Sequence, residues 1–355
     1  MTVLFVGSGR VPWKMGSYRG GVSVCPLRSR LGVLRMSNVE TDALCLGLDR
    51  GEQKSWKHRG YRVAYEEAGM EGKQRNELPP LLLVHGFGAS SRHWKKLIPA
   101  LEKEYRVYAI DLLGFGLSEK DVAAFRSEDG NRIGLFKVWS DQIDDFIQSV
   151  VGEPCLLVAN SVGCLAALEV ACRFTSQVVG VFCMNPSMRA LDVRKRSILQ
   201  NIFAPLAMEA LKVKPLGEFF FSQLQAPDIL RQVLLSAYCD PSAVTDSLIE
   251  DFARPARDQG ALDVFLEFIT YDRGPIPEDY FEILPVPSMI LWGEQDRLEP
   301  LRAGLHLEHF PSVHKFVVLP NVGHCPQDEA PHLVYPYLQE FIASVVRQPQ
   351  VGRQQ

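Results

Sequence analysis

Short apolar runs alternate with longer amphipathic stretches along the chain from about residue 56. Short continuous or alternating apolar runs are typical of strands, whereas apolar residues that recur every three or four positions are typical of helices. The pattern predicts strands at 61–68, 81–84, 106–110, 155–159, 178–184, 287–292 and 314–319, and helices at 94–101, 139–150, 162–174 and 334–345. Strands that alternate with helices in this way indicate an α/β protein with a mostly parallel central sheet flanked by helices.

The strand pattern stops between residues 186 and 285, where the sequence is apolar and mainly helical in its periodicity. This block includes the run Phe219-Phe220-Phe221. An insertion of this size between two strands of an α/β sheet is best explained as a cap over the active face. We therefore predict a core formed by 56–185 and 286–346, a helical cap insertion at 186–285, and a tail at 347–355.

The amino-terminal segment differs in charge from the rest of the chain. Residues 1–39 contain six basic side chains, five serines and no acid, and the remainder then has a net charge of −10. An Arg- and Ser-rich segment that lacks acids is the composition of an organelle transit peptide, whereas a secretory signal would need a continuous apolar region. We predict a transit peptide within 1–45. The alternative is a disordered basic tail with no targeting function, or a misassigned start codon.

Composition excludes several classes of protein. The chain has 38 Lys and Arg against 42 Asp and Glu, so no excess of positive charge indicates a nucleic-acid partner. The sequence contains no run of 18 apolar residues and therefore predicts no membrane-spanning helix. The eight cysteines are scattered without paired spacing, and we interpret them as buried free thiols in a reducing compartment.

A serine lies between a predicted strand and a predicted helix, in the run Ala159-Asn160-Ser161-Val162-Gly163. This context matches a G-x-S-x-G nucleophile elbow in which Ala159 replaces the first glycine. A sharp strand-to-helix turn would expose the Ser161 hydroxyl at the carboxyl edge of the sheet and leave the Val162 N–H free to stabilise an oxyanion. The loop after the strand 81–84 supplies the second oxyanion donor in this architecture, and we assign it to the Phe87 N–H.

A serine nucleophile needs a general base, and the base needs an acid that orients it. Asp296 follows the strand 287–292, and His324 follows the strand 314–319. The chain order Ser161, Asp296, His324 is the order of an α/β-hydrolase triad. In the alternative interpretation, Asp296 caps the following helix and His324 is an ordinary loop histidine.

Four other polar residues lie near the predicted site. We expect His85 to brace its loop by hydrogen bonds and Asp111 to cap a glycine-rich turn, while Glu294 and Asp328 are substitute acids for the triad. The remaining histidines lack HExxH or another metal-ligand spacing, and no dinucleotide or phosphate-binding glycine motif is present. We therefore predict no metal and no cofactor.

These motifs resemble the α/β-hydrolases over roughly residues 56–346. Three segments, at 262–269, 274–279 and 319–331, are similar to the pheophytinase and chlorophyll dephytylase group of plants, algae and cyanobacteria; the last reads LPNVGHCPQDEAP. The resemblance implies that Ser161, Asp296 and His324 form the triad of a serine esterase. It also implies a phytyl ester of a tetrapyrrole as substrate and the plastid as location, which agrees with the composition of the amino-terminal segment.

We therefore expect an esterase that hydrolyses a hydrophobic ester with a long hydrocarbon chain, and no nucleic-acid partner. A serine at the elbow argues against dehalogenase and epoxide-hydrolase chemistry, in which a carboxylate attacks carbon. Two alternatives are a plastid lipase or general carboxylesterase with the same triad, and a hydrolase-like ligand receptor. The apolar run at Phe219 further predicts a peripheral contact with the thylakoid membrane.

Overall fold

The computed structural model describes residues 53–69, 78–190, 192–195, 209–211, 213–271 and 274–347. The predicted transit peptide at 1–45 lies outside the described residues, as do 196–208 of the predicted cap and all but the first residue of the predicted tail. Within the described ranges, none of the helices has the length and apolar character needed to cross a bilayer.

Eight strands of the described residues form one sheet. They are β1 (Lys54–His58), β2 (Tyr61–Ala68), β3 (Leu81–Val84), β4 (Val107–Ile110), β5 (Cys155–Asn160), β6 (Val178–Met184), β7 (Ser288–Gly293) and β8 (Val313–Leu319). Their order across the sheet is β1-β2-β4-β3-β5-β6-β7-β8. The first three in this order are antiparallel, and every later neighbouring pair is parallel. This architecture confirms the predicted fold class.

Eleven α-helices are defined in the described ranges. They are α1 (Ile98–Leu101), α2 (Leu135–Phe146), α3 (Val162–Arg173), α4 (Lys214–Leu224), α5 (Pro227–Ala237), α6 (Asp246–Ala256), α7 (Ala261–Ile269), α8 (Pro277–Phe281), α9 (Leu301–Gly304), α10 (Pro326–Glu329) and α11 (Pro331–Arg347). Short 3₁₀ segments lie at Ser91–Trp94, Val122–Phe125, Thr175–Gln177, Pro241–Ala243 and Leu305–His309, and a π-helical turn lies at Ile147–Val151. Helices α4 to α8 all belong to the predicted cap, which we call the cap segment (186–285).

Strands β3 to β7 are almost continuous apolar runs because helices cover both faces of the sheet there. Leu82 and Leu157 pack in the cluster on one face, whereas Leu81 and Leu156, their neighbours along the strands, pack in the cluster on the other face. The side chains of β3 and β5 are all buried. The middle of the sheet is therefore rigid, and the loops at its carboxyl edge start from fixed points.

The structure differs from the sequence-based expectation in two places. Strand β1 was not expected because most of its side chains are polar and exposed; it pairs with β2 through a tight turn at Arg59 and Gly60, whose φ values are 51° and 89°. Positive φ at both turn residues suits a two-residue hairpin. The helix expected at 94–101 is split into the 3₁₀ segment Ser91–Trp94 and the single turn of α1.

Candidate active site

Ser161 occupies a strained turn between β5 and α3. Its φ of 57° and ψ of −125° are values that a residue with a side chain rarely adopts, at a cost on the order of 1–3 kcal/mol. The turn is crowded: a Cβ on Gly163 would lie 2.4 Å from the carbonyl oxygen of His85, and one on Gly86 would lie 3.0 Å from Ser161 Cβ. The glycines therefore allow the loop after β3 to pack directly against the serine.

The Asp296 carboxylate is buried and accepts four hydrogen bonds. Oδ2 lies 2.7 Å from His324 Nδ1 and accepts a second bond of 2.7 Å from Asn185 Nδ2. Oδ1 accepts the backbone N–H groups of Leu298 and Glu299 at 2.8 and 2.9 Å. Asp296 thus caps its own turn and orients His324; it does not cap the following helix, α9, whose N-cap residue is Pro300.

Two opposing effects determine the pKa of His324. Burial lowers the pKa, but the charge of Asp296 and its hydrogen bond, with the charge of Glu299, outweigh burial and raise the pKa above its ordinary value. The bond from Nδ1 to Asp296 leaves Nε2 as the ring nitrogen that can accept a proton. His324 therefore has the surroundings of a general base whose protonated form is stabilised.

The serine and histidine loops are joined by a hydrogen bond from a side chain to a backbone carbonyl. Asn160 Nδ2, beside Ser161, donates to the carbonyl oxygens of His324 and Met184 at 3.0 and 3.1 Å. No hydrogen bond links the Ser161 hydroxyl to the His324 ring in the described part of the chain. Hydrogen bonds between catalytic groups are often long before substrate binds. The structure thus brings Asp296 and His324 into direct contact and Ser161 into the adjoining loop.

The two predicted oxyanion donors flank Ser161. Val162 is the first residue of α3, so its N–H has no acceptor within the helix. Phe87 follows Gly86, the residue that packs on Ser161 Cβ. The Phe87 ring stacks on Phe268 of α7, with 4.1 Å between ring centroids. The loop that carries one predicted donor is therefore held by the cap segment.

His85 and Asp111 have the bracing roles expected of them. The His85 ring is buried, accepts the Leu112 N–H at Nε2 (3.0 Å) and lies 2.7 Å from the Gly86 carbonyl oxygen at Nδ1. Burial lowers the pKa of His85. The Asp111 carboxylate accepts the N–H groups of Ser91 and Leu117 at 2.6 and 2.7 Å. Both side chains hold loops beneath the site.

The two substitute acids lie away from the His324 ring. Glu294 is exposed at the end of β7. Asp328 is buried, and its Oδ2 accepts bonds of 3.0 Å from Lys96 and from the Tyr238 hydroxyl. Neither acid is hydrogen-bonded to His324, whose ring contacts Asp296 instead.

Several polar residues that hold the site together were not predicted from the sequence. Asn185 follows β6 with a φ of 46°; its Nδ2 donates to Asp296, and its Oδ1 accepts the Gly293 N–H at 3.2 Å. Glu299 accepts a bond of 2.8 Å from the Ser187 hydroxyl, and the Ser187 N–H donates to the Ser161 carbonyl at 3.2 Å. Burial raises the pKa of Glu299 to about 7. The sequence signal that could have identified Asn160 and Asn185 is their position at the ends of buried strands.

The structure offers no group of three or more His, Cys, Asp or Glu side chains within the described ranges that could hold a metal ion. The six cysteines that fall in those ranges are all free thiols, and four of them are buried. Cys25 and Cys45 lie outside the described residues.

The sequence matches the model of the alpha/beta hydrolase family over residues 81–336. The chain is 26% identical over 313 residues to the chloroplastic pheophytinase of Arabidopsis thaliana, covering 79% of this chain and 63% of that protein. It therefore spans less than two thirds of the pheophytinase's length. It is 25% identical over 288 residues to an uncharacterized hydrolase of Bacillus subtilis (strain 168), covering 80% of this chain and 95% of that protein.

Similarity to solved structures supports the same fold. The crystal structure of a membrane phospholipase A superposes with a TM-score of 0.63 at 22% identity, covering 87% of this chain and 91% of that chain. The matched region 81–336 includes Ser161, Asp296 and His324 and makes up more than half of the sequence. The chain belongs to the alpha/beta hydrolase family.

Proposed function

We propose that the protein is a serine carboxylesterase that forms an acyl-enzyme on Ser161. The observation that carries the proposal is the strained turn at Ser161 beside the buried pair of His324 and Asp296, whose bond is 2.7 Å. A strained serine turn followed by an oriented histidine is the arrangement that activates a hydroxyl for acyl transfer.

In the proposed reaction, His324 Nε2 removes the proton of the Ser161 hydroxyl while Oγ attacks the ester carbonyl carbon. The N–H groups of Phe87 and Val162 stabilise the oxyanion of the tetrahedral intermediate. His324 then gives the proton to the leaving alcohol, and the acyl group remains on Ser161. A water molecule, deprotonated by His324, attacks the acyl-enzyme and releases the carboxylate product.

We propose a long-chain ester as substrate, specifically the phytyl ester of chlorophyll or pheophytin. An aromatic cluster of Phe87, Phe115, Phe265 and Phe268 adjoins the predicted oxyanion loop and supports an apolar ligand. Burial of each methylene group of such a chain contributes about 0.8 kcal/mol, so a phytyl tail would dominate binding. The similarity to a chloroplastic pheophytinase supports the same substrate class.

A substrate panel tests the proposal. The full chain would be incubated with chlorophyll, pheophytin, a galactolipid and a short-chain nitrophenyl ester, and the released alcohols and acids measured. We expect multiple turnovers with a phytyl ester and loss of turnover in Ser161→Ala. The matched control is Ser344→Ala, because within the described residues the Ser344 hydroxyl is hydrogen-bonded only to the Phe341 carbonyl on α11.

The other outcomes of the panel would each replace part of the proposal. Product from the galactolipid and none from either pigment would identify a lipase. A single slow turnover with tight binding would identify a ligand receptor. Undiminished phytyl-ester hydrolysis by Ser161→Ala would refute the serine mechanism itself.

We further propose that the protein acts in the plastid. The Arg- and Ser-rich composition of 1–45 and the chloroplastic relative support this location. A fluorescent reporter fused to residues 1–45 is expected to accumulate in chloroplasts, and a diffuse cytosolic signal would contradict the proposal.

A peripheral membrane contact is also proposed, at the exposed apolar face of α4 and the residue before it. Val213, Leu216 and Phe219 recur at helical spacing and are 58%, 45% and 65% exposed. Phe220 and Phe221 instead contact Phe265, so only Phe219 of the aromatic run is free to face a lipid surface. Phe219→Ser is expected to reduce co-sedimentation with galactolipid vesicles, and unchanged co-sedimentation would contradict the contact.

A further inference from the structure

The carboxylate of Glu329 joins the histidine loop to the cap segment. Glu329 is the last residue of α10, five positions after His324. Its Oε2 accepts the Gly323 N–H at 2.7 Å. Its Oε1 accepts the N–H groups of Cys239 and Asp240, which follow α5, at 2.8 and 2.6 Å. One side chain thus binds the backbone of two segments that are distant in sequence.

The same two segments also contact each other directly. The His324 N–H donates to the carbonyl oxygen of Ala237, the last residue of α5, at 2.6 Å. A Cβ on Gly323 would lie 2.3 Å from that oxygen, so only glycine permits the approach. Tyr238 is buried beneath, and its hydroxyl contacts Asp328 Oδ2 at 3.0 Å and His93 Nε2 at 2.9 Å. Consecutive cap residues are therefore fixed against the loop that carries His324.

The chemistry of this junction requires a carboxylate. Three N–H donors converge on two oxygens, and hydrogen bonds to a charged acceptor are stronger than those between neutral groups. An amide of the same size has one acceptor oxygen, and its NH₂ group would face an N–H donor. Glu329→Gln should therefore release one of the two segments while leaving the volume of the side chain unchanged.

We infer that Glu329 is a positioning residue for His324, and that it acts by holding residues 237–240 of the cap segment against the loop 323–324. The contact of residues 237–240 with the loop 323–324 then also determines the position of the His324 backbone. The inference rests on the proposed function only in that it takes His324 as the general base. The cap end contributes to catalysis without touching the substrate.

Glu329→Gln tests the inference, with Glu340→Gln as the matched control. Glu340 is an exposed residue of α11 that pairs with Lys315 at 2.7 Å. On a soluble nitrophenyl ester, we expect kcat of Glu329→Gln to fall between about 10-fold and 100-fold, because small misplacements of catalytic groups have effects of this size. KM should stay nearly constant, since the substrate contacts are retained. Amide hydrogen exchange should accelerate together at 237–240 and 323–324.

The results separate this inference from the proposed function. Unchanged kcat in Glu329→Gln, or faster exchange at 239–240 while 323–324 stay protected, would overturn the inference. If the parent chain hydrolyses no ester, the proposed function fails, and the exchange measurement still decides whether Glu329 couples the two segments. Should Glu329→Gln fail to fold, Glu329→Asp is the second variant, since it keeps both acceptor oxygens on a shorter side chain. We expect it to lower kcat and to accelerate exchange, as in Glu329→Gln. Wild-type kcat and exchange in Glu329→Asp would overturn the inference.

Discussion

Single residues at the ends of strands determine the electrostatics of the candidate site. The Asp296 carboxylate is held by His324, Asn185 and two backbone N–H groups of its own turn. Glu299 lies on that turn and bonds to Ser187, whose backbone contacts Ser161. His324 is thus close to two carboxyl groups. Asp296 accepts the hydrogen bond from its Nδ1–H, and the charge of Glu299 raises the pKa of the ring.

The pH dependence of activity should change in Glu299→Gln. His324 works as a base only when neutral, so activity falls as the pH drops through its pKa. Burial lowers that pKa, and the charges of Asp296 and Glu299 raise it above the ordinary value. Removal of the Glu299 charge therefore lowers the pKa of His324, and the acidic limb of kcat/KM should move to lower pH.

The Glu299 effect needs an acid far from the site as its control. Glu308→Gln removes an exposed carboxylate from the segment Leu305–His309 and should leave the acidic limb unchanged. Because the pKa of Glu299 is itself raised to about 7 by burial, the two groups titrate together in the parent protein. The limb should also become steeper in Glu299→Gln, because protonation of Glu299 in the parent protein weakens proton binding at His324 and so broadens its titration. A shift to higher pH would show that the charge of Glu299 does not support protonated His324.

At the scale of elements, close approach of backbones positions the serine turn. Helix α3 begins directly after Ser161, and its second residue, Gly163, packs on the loop that follows β3. The same loop carries Phe87, whose ring stacks on α7. The turn therefore packs on the predicted oxyanion loop with no space for an added atom at Gly163, and that loop in turn stacks on the cap segment.

Gly163→Ala should destabilise the protein even though alanine favours helix formation. A methyl group at this position would lie 2.4 Å from the His85 carbonyl oxygen and 2.6 Å from that of Val84. Overpacking against backbone typically costs about 1–3 kcal/mol, which exceeds the gain of roughly 0.5–1 kcal/mol from replacing a helical glycine. Denaturant unfolding should show the loss, and ester hydrolysis should fall because the Phe87 loop must move.

Gly130→Ala is the matched control for this prediction. No atom lies within 4 Å of a Cβ at Gly130, but its φ of 77° makes alanine unfavourable there. We expect a loss of about 1 kcal/mol in the free energy of unfolding and normal hydrolysis. Equal activity of the two variants would show that the contact between Gly163 and the loop does not position the site.

At the scale of the whole molecule, hydrophobic periodicity alone predicted most of the sheet. Of the eight strands in the described residues, seven were expected within about two residues of their observed bounds, because β2 alternates apolar and polar residues and the other six carry short apolar runs. Strand β1 is polar and exposed at the sheet edge, so its pairing with β2 leaves no such signal. The three residues of the predicted triad lie after β5, β7 and β8, the positions expected from the sequence.

The supporting contacts could not be predicted in the same way. Asn160, Asn185 and Glu329 each bind a backbone group of a segment far away in the sequence. Such pairs depend on how separate loops meet at the sheet edge, and a single sequence carries no pattern that links their members. Periodicity therefore places the elements, whereas the long-range polar contacts that orient His324 required the structure.

The central claim is that Ser161 is the nucleophile, and mass-spectrometric mapping of a fluorophosphonate adduct tests it most directly. The reagent phosphonylates a serine hydroxyl only when a neighbouring base activates it. We expect one adduct per chain, located at Ser161, absent in Ser161→Ala, strongly slowed in His324→Ala and unaffected in Ser344→Ala. An adduct at another serine, or ester hydrolysis that continues in Ser161→Ala without any adduct, would contradict it.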